Sequence, residues 1–399
     1  MTTLAQARAR DAADPLRGFA AEFDLPPGVI YLDGNSLGPP TRRALAALQK
    51  AAERDWGVGL IRSWNAAAWI DLPNRAGAKI AALIGADGDE VIVCDSVSVN
   101  LFKLAAALIA GRPGKSLVVE TAEFPTDQYV LEGVARITGA PLVRLGEGEP
   151  PPADAGVVVK SLVHYRSAEI CDMAAAECAA RECGGAIIWD LSHAAGLVAV
   201  DLGSAGARYA VGCGYKYLNG GPGAPGFVYA ARDAANALAQ PVSGWMGAAA
   251  PFEFASAYRP ADGVSRFAAG TPPILSLVAL DAALDIFDGA DLRLLEQKSR
   301  ALGDLFLERT KDPALPPLPA PARRGGHVCL RSPHGHQIMQ ALIARGVIGD
   351  FRAPDLLRFG FSPLFLSFED VWRAAEILED VLTTEEWRKP EFARRSKVT

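Results

Sequence analysis

The sequence predicts an α/β protein: a mainly parallel central sheet with helices on both faces, followed by a smaller C-terminal α+β domain. Three observations carry this. Short apolar runs alternate with helical stretches between about residues 90 and 230. Several of these runs, such as Ala186-Ile187-Ile188-Trp189, lack polar alternation, as expected of strands covered on both faces. After residue 285 the pattern becomes a strongly amphipathic helix and then strand, helix, strand, helix.

In chain order, residues 3–23 read as a helix ending before Pro26-Pro27, and 29–32 as a short strand. A turn follows, from Asp33 to Pro40, and Thr41 caps a helix reaching about Trp56. Strands are expected at 90–93, 116–120, 142–145, 156–160, 186–189, 209–212 and 227–230, with helices at 99–109, 126–137 and 172–182. Residues 291–310 form the amphipathic helix, and the Pro-rich stretch 313–321 is a surface connection. A strand at 327–331, a helix at 336–345, a strand at 356–359 and a helix at 368–383 complete the chain. The domains expected are an N-terminal arm with helices (1–55), a large ligand-binding domain (56–285) and a small C-terminal domain (286–399). No internal repeat is visible.

Composition sets the class. Of 399 residues, 50% are hydrophobic and 22% charged, which excludes global disorder. Net charge is −6 with no basic block, so nucleic acid is not an expected partner. Apolar stretches such as 104–110 fall short of the roughly 18–20 residues that cross a membrane, and the N-terminus has no signal-peptide apolar core. The cysteines at 94, 171, 178, 183, 213 and 329 form no CxxC pair and read as free thiols in a reducing compartment. These features predict a cytoplasmic enzyme.

Three motifs fail on inspection. Gly111 to Ser116 looks like a phosphate-binding P-loop, but position 109 is Ile and a strand follows where a helix is required. Gly34-Asn35-Ser36-Leu37-Gly38 matches a nucleophile elbow, but Pro39-Pro40 holds the backbone extended where the elbow's helix must start. Ser36 is better read as a turn residue lining a site. His334 and His336 have no third ligand at useful spacing, so no metal site is expected.

One constellation survives. Asp190 follows a buried parallel strand and so sits at the carboxyl end of the sheet, where α/β folds bind ligands. Lys216 lies in the glycine-rich stretch Val211 to Gly226, flanked by Tyr215 and Tyr217. Poor solvation there favours a neutral amine and Schiff-base chemistry. A lysine and a carboxylate on neighbouring strand ends are what pyridoxal phosphate needs: one to capture the aldehyde, one to keep the pyridine nitrogen protonated. Residues 95–100 follow a strand and open a helix, with Ser98 adding a hydroxyl to backbone N–H groups suited to a phosphate.

At these residues the sequence resembles the kynureninase family, within the fold type I class of pyridoxal-phosphate enzymes. The matching stretches are Tyr31 to Gly38, Phe124 to Asp127, Trp189 to His193, Gly214 to Gly220, Gly244-Trp245, Gly270 to Ile274 and Leu357 to Pro363. The resemblance implies hydrolysis of the Cβ–Cγ bond of L-kynurenine to anthranilate and L-alanine, in tryptophan catabolism. It implies that Lys216 binds the cofactor covalently and that Asp190 pairs with the ring nitrogen. Phe124, Pro125, Thr126, Asp127 and His193 would hold the ring. Val97, Ser98, Ser161, Tyr215, Trp245 and Thr271 would surround the cofactor, mainly its phosphate. Arg358 would take the substrate α-carboxylate in a two-pronged contact. Ser36 and Trp64 would also face the substrate, and Tyr215 is the candidate acid/base at Cγ. A homodimer with shared active sites is implied, Trp245 and Thr271 coming from the partner subunit.

The chain departs from the family in small ways. Val97-Ser98 stands where Leu-Thr is common, and His164 where Asn is common. Trp64 and Thr271 resemble the bacterial branch, which implies that 3-hydroxykynurenine is the poorer substrate. Rival readings are a cysteine desulfurase, with Cys329 as the only candidate thiol, a transaminase, a serine hydrolase built on Ser36, and a non-catalytic protein of the same fold.

Overall fold

The computed structural model describes residues 1–318 and 323–395. The strands, in chain order, are β1 (Ile30–Tyr31), β2 (Val91–Val93), β3 (Ser116–Glu120), β4 (Leu142–Leu145), β5 (Ala155–Ser161), β6 (Ala186–Asp190), β7 (Tyr209–Cys213), β8 (Gly226–Ala230), β9 (His327–Arg331), β10 (Val347–Ile348), β11 (Asp350–Arg352) and β12 (Leu356–Gly360). Seven of them form one sheet in the order β2-β8-β7-β6-β5-β3-β4. Pairing is parallel from β7 to β4, while β8 runs against both neighbours, β2 and β7. The expected mainly parallel sheet is therefore present, with one reversed strand.

Both faces of this sheet are covered. On β6, Ile187 and Trp189 enter one apolar core, and Ala186 and Ile188 enter the other. That division explains the unbroken apolar run, because successive side chains point to opposite faces and both faces are buried. Trp189 keeps its indole N–H satisfied by donating to Glu177 Oε1 at 2.9 Å.

Several expectations need correction. The first helix does not run to residue 23. It is Leu4–Ala12, followed by a 3-10 turn at Arg17–Glu22. Pro15 lies between them: it lacks an N–H and disfavours helical geometry at Asp14. The helix after Thr41 is α-helical only over Arg42–Lys50 and then widens to π winding over Ala51–Gly59, a stretch ending in Gly57 and Gly59. Two long helices were not anticipated, Leu72–Ile84 and Ile274–Leu284. The first seats Pro73 in its opening turn, where the missing N–H is harmless, and packs closely on β2. A Cβ on Gly77 would lie 2.1 Å from the Val91 carbonyl oxygen. Strands β10 and β11 were also missed, since two or three residues carry too little periodicity.

The C-terminal part is the expected smaller α+β unit. β11, β12 and β9 form an antiparallel sheet in that order, with Arg358 opposite both Asp350 and Cys329. Helices Leu292–Arg309 and Phe368–Thr383 pack against one another beside it. The N-terminus joins this unit: β1 pairs in parallel with β10, and helix Leu4–Ala12 packs on helix Phe368–Thr383. Residues 319–321 of the Pro-rich connection lie outside the described residues.

Candidate active site

Strands β2, β3, β5, β6 and β7 all point the same way, so their carboxyl ends converge at one edge of the large sheet. β5 ends on Ser161 and β6 on Asp190, which stand in register beside each other. The turn after β7 carries Tyr215 and Lys216, the turn after β3 carries Glu123 to Asp127, and the turn after β2 carries Asp95 to Ser98.

Lys216 Nζ lies 3.4 Å from His193 Nε2 and 5.8 Å from the centre of the Tyr215 ring. Burial holds His193 well below the ordinary imidazole range, and the charges of Lys216 and Arg358 push it the same way. The ring is therefore neutral near pH 7 and can accept a hydrogen from the lysine. Burial pushes the Tyr215 phenol up, so it stays protonated.

Asp190 is buried, with Oδ1 accepting the Ser192 N–H at 2.7 Å. Asp127 is buried in the first turn of helix Pro125–Thr138, and its Oδ2 has no hydrogen-bond partner among the described residues. Burial, with the nearby charges of Asp190 and Glu123, raises its pKa well above the usual carboxylate range. Glu123 is held by Ser161, which gives its amide N–H at 2.9 Å and its hydroxyl at 2.5 Å. Phe124, part exposed at the start of that helix, stands edge-on to Tyr165 at 5.2 Å between ring centres. Pro125 and Thr126 form the opening turn itself. Val97 and Ser98 begin helix Val97–Ala110, which is capped by the Ser96 side chain, and their N–H groups face no helical acceptor.

This set of groups fits pyridoxal phosphate. It offers an amine free of any carboxylate partner among the described residues, and a buried carboxylate pair with one orphaned oxygen. It also offers a half-covered aromatic ring and a helix start able to receive an anion.

Arg358 reaches this region from β12, but its two-donor edge is already taken. Nε donates to Asp350 Oδ1 at 3.0 Å and Nη2 to Asp350 Oδ2 at 2.5 Å, while Nη1 donates to the Tyr165 carbonyl at 3.0 Å. Ser36 joins them, donating to Asp350 Oδ2 at 2.5 Å and accepting from Arg358 Nη2 at 2.9 Å. Among the described residues the Ser36 hydroxyl bonds to Asp350, Arg352 and Arg358 and to no histidine, so the serine-hydrolase geometry is not formed. The remaining expected residues make no hydrogen bond or ring contact with Lys216 among the described residues. Trp64 packs edge-on to Trp69 at 6.1 Å. Trp245 packs on Phe252 and Phe254, and Thr271 lines a cavity of about 450 Å³ with Cys94, Asp95 and Met246.

Relatives decide the family. A sequence profile described as the kynureninase C-terminal domain matches residues 295–378. A kynureninase of Burkholderia mallei (strain SAVP1) is 45% identical over 416 residues, covering 100% of both chains. The chain belongs to the kynureninase family. A kynureninase of Deinococcus radiodurans is 50% identical over 397 residues, covering 95% of this chain and 96% of its own. Among solved structures, this kynureninase-family fold resembles the Escherichia coli cysteine desulfurase CsdA, with a TM-score of 0.80, 19% identity and coverage of 92% and 98%. It also resembles the cystine C–S lyase C-DES in complex with cysteine persulfide, with a TM-score of 0.78, 17% identity and coverage of 88% and 97%. At that identity the likeness concerns the fold.

The sequence reading did not single out Glu123, Asp350, Arg352 or His327, which the fold brings into this cluster. His327 is wholly buried, its ring 5.6 Å from that of His193. Asp350 and Arg352 lie on a three-residue strand, where the only available signal was an acid and a base two positions apart, on one face of a strand.

Proposed function

We propose that the chain uses pyridoxal phosphate, joined to Lys216, to hydrolyse the Cβ–Cγ bond of L-kynurenine, giving anthranilate and L-alanine. The observation that carries this reading is the full-length relationship to curated kynureninases at 45–50% identity. Bound at Lys216, the cofactor supplies an electron sink for the bonds at the substrate's Cα.

The chain's own residues do the rest. Asp190 holds a proton on the ring nitrogen, and Asp127 and His193 orient the ring. The first-turn N–H groups at Val97 and Ser98, with the Ser98 hydroxyl, hold the phosphate. The Lys216 amine, once free, takes the proton from Cα, and neutral His193 orients it by accepting a hydrogen bond. Tyr215, protonated at neutral pH, gives a proton to the Cγ oxygen as water adds there and takes one back from the added water, so the hydrate forms with the phenol restored. Arg358, fixed by Asp350, supplies positive charge beside the substrate carboxylate. Ser36 bridges the two.

A homodimer in which Trp245 and Thr271 complete the partner's site fits their contacts, which among the described residues are with Phe252, Phe254 and a cavity lining rather than with Lys216. Trp56, Ile61, Phe252 and Phe254 are exposed and apolar, as a subunit contact would require. Trp64 and Thr271 support a preference for L-kynurenine over its 3-hydroxy form. A cytoplasmic location fits a chain in which no described helix is long and apolar enough to cross a membrane. Cys329, buried in β9 with its thiol pushed up to about 12 by burial, is poorly suited to desulfurase chemistry.

The test is a visible absorbance spectrum of the purified protein, then addition of L-kynurenine while watching anthranilate fluorescence. The expected result is a cofactor band, lost in Lys216→Ala, and steady anthranilate release. A protein that carries the cofactor and releases no anthranilate would refute the reading.

A further inference from the structure

The helix start assigned to the cofactor phosphate has a carboxylate beside it. Helix Val97–Ala110 is capped by Ser96, whose hydroxyl accepts the Val99 N–H at 3.4 Å. The N–H groups of Val97 and Ser98 remain for an anion. Asp95 stands one residue before the cap, and its backbone is pinned. Its carbonyl accepts the Gly226 N–H at 2.8 Å, and its φ of 45° is a left-handed conformation that Asp and Asn tolerate better than most residues. Its side chain is 30% exposed. A bare carboxylate held there would oppose a phosphate monoester, which carries roughly 1.5–2 negative charges at pH 7.

Lys103 answers that carboxylate. It lies further along the same helix, and helical side chains lean back toward the N-terminus. The long stem therefore returns the ammonium to the helix start, where Nζ pairs with Asp95 Oδ2. Nζ also donates to the Phe267 carbonyl at 2.5 Å, so it is fixed between two acceptors. The Lys103 side chain is wholly buried and so presents no surface to a ligand. Asp95 is its only ion-pair partner among the described residues. A buried ammonium is strongly disfavoured unless another charge answers it, so the pair acts as one neutral unit. What then faces the anion is the partial positive charge of the helix itself.

We propose that Lys103 is a positioning residue for the cofactor phosphate: it neutralises Asp95 and holds the turn before the helix, so that the Val97 and Ser98 N–H groups meet the phosphate unopposed. This rests on the reading that pyridoxal phosphate is bound with its phosphate at Val97 and Ser98. Removing the Lys103 charge alone leaves Asp95 bare beside the phosphate. Removing the Asp95 charge as well ends the repulsion, and asparagine keeps the tolerance for a left-handed backbone. A merely structural pair would behave differently, because breaking it from either side would loosen the turn and weaken binding.

In the experiment, the full-length protein freed of cofactor is titrated with pyridoxal phosphate and with pyridoxal, the same aldehyde without its phosphate. Affinities are read from the visible absorbance. The variants are Lys103→Met, Asp95→Asn, the two together, and Ser98→Ala as a marker of the phosphate seat. Lys103→Met is expected to weaken pyridoxal phosphate at least tenfold and to leave pyridoxal within twofold. Asp95→Asn is expected to bind pyridoxal phosphate at least as tightly as wild type, a result that decides the matter even if Lys103→Met does not fold. The double variant is expected to restore most of the lost affinity. Wild-type affinity for pyridoxal phosphate in Lys103→Met, an equal loss for both aldehydes, or a tenfold loss in Asp95→Asn overturns the proposal. If one of those results comes while Ser98→Ala weakens pyridoxal phosphate and spares pyridoxal, the phosphate seat stands and only the role of Lys103 falls. If wild type binds the two aldehydes equally, the seat falls and the proposal with it.

Discussion

A Cβ on Gly38 would lie 2.2 Å from the carbonyl oxygen of Lys216 and 2.4 Å from Asn219 Oδ1. The Gly38 N–H donates to the Tyr215 carbonyl at 2.8 Å. The turn after β1 is thus the backbone support of the loop that carries the reactive lysine. It also explains the stretch that imitates a nucleophile elbow: its glycine serves a close approach of two backbones, with no strained serine involved.

Gly38→Ala should therefore displace the lysine loop, because the clash is with backbone that has little room to yield. We expect a folded protein with at least tenfold lower kcat and a shifted cofactor band. A variant with normal absorbance and turnover would show that the loop can give way at no cost.

The second prediction concerns Lys103, a fully buried lysine on helix Val97–Ala110. It pairs with Asp95 and donates to the Phe267 carbonyl at 2.5 Å. Asp95 has a φ of 45°, in the left-handed region, just before the helix start assigned to the phosphate. Lys103→Met should cost about 1–3 kcal/mol, less than for a wholly buried pair, because Asp95 is 30% exposed and water can take over part of its charge. Lys103→Met with Asp95→Asn should recover much of it. Urea unfolding of the two variants decides the matter, and equal stabilities would remove the pairing argument.

Acid sensitivity gives the third. Burial holds both His193 and His327 well below the ordinary imidazole value in the folded chain. Unfolded, each titrates near 6.5. Below that pH the unfolded chain binds protons that the folded chain refuses, so stability falls as pH drops, by up to about 1.4 kcal/mol per pH unit per imidazole. His327→Gln should lose less stability than wild type between pH 7.5 and 5.5 in urea titrations. An identical slope in the two proteins would mean that His327 is protonated when folded.

The fourth prediction has the opposite sign. Asp127 is held well above the usual carboxylate range by burial and by Asp190 and Glu123. The folded chain keeps a proton that the unfolded chain sheds near pH 4, so this residue lowers stability increasingly as pH rises. In the cofactor-free protein, Asp127→Asn should be more stable than wild type at pH 8 and no different near pH 4. The same variant should bind the cofactor more weakly, as expected where a strained site serves function. Greater stability near pH 4 than at pH 8, relative to wild type, would reverse the assignment.

Much of the fold was legible because buried parallel strands leave a strong mark. The runs at 116–120, 186–189 and 209–212 each became a sheet strand nearly residue for residue. Asp190 and Lys216 were legible for the same reason, since a polar residue just past such a run can only lie at the sheet's edge. The terminal helix was misjudged where one proline competes with good helix periodicity, and the π winding after Lys50 had no pattern of its own. The partners of Arg358 could not be read, because Asp350 becomes its neighbour only through the antiparallel register of β11 and β12.

By itself the sequence determined the class of fold, the strand ends that carry the chemistry and the chemical types assembled there, because local periodicity and residue chemistry are written along the chain. Only the tertiary structure decided how donors and acceptors are shared: Arg358 closed on Asp350, Lys103 bonded to the Phe267 carbonyl, Gly38 pressed on Lys216. Those outcomes depend on distances between residues far apart in the chain, which packing and strand register fix and local sequence does not.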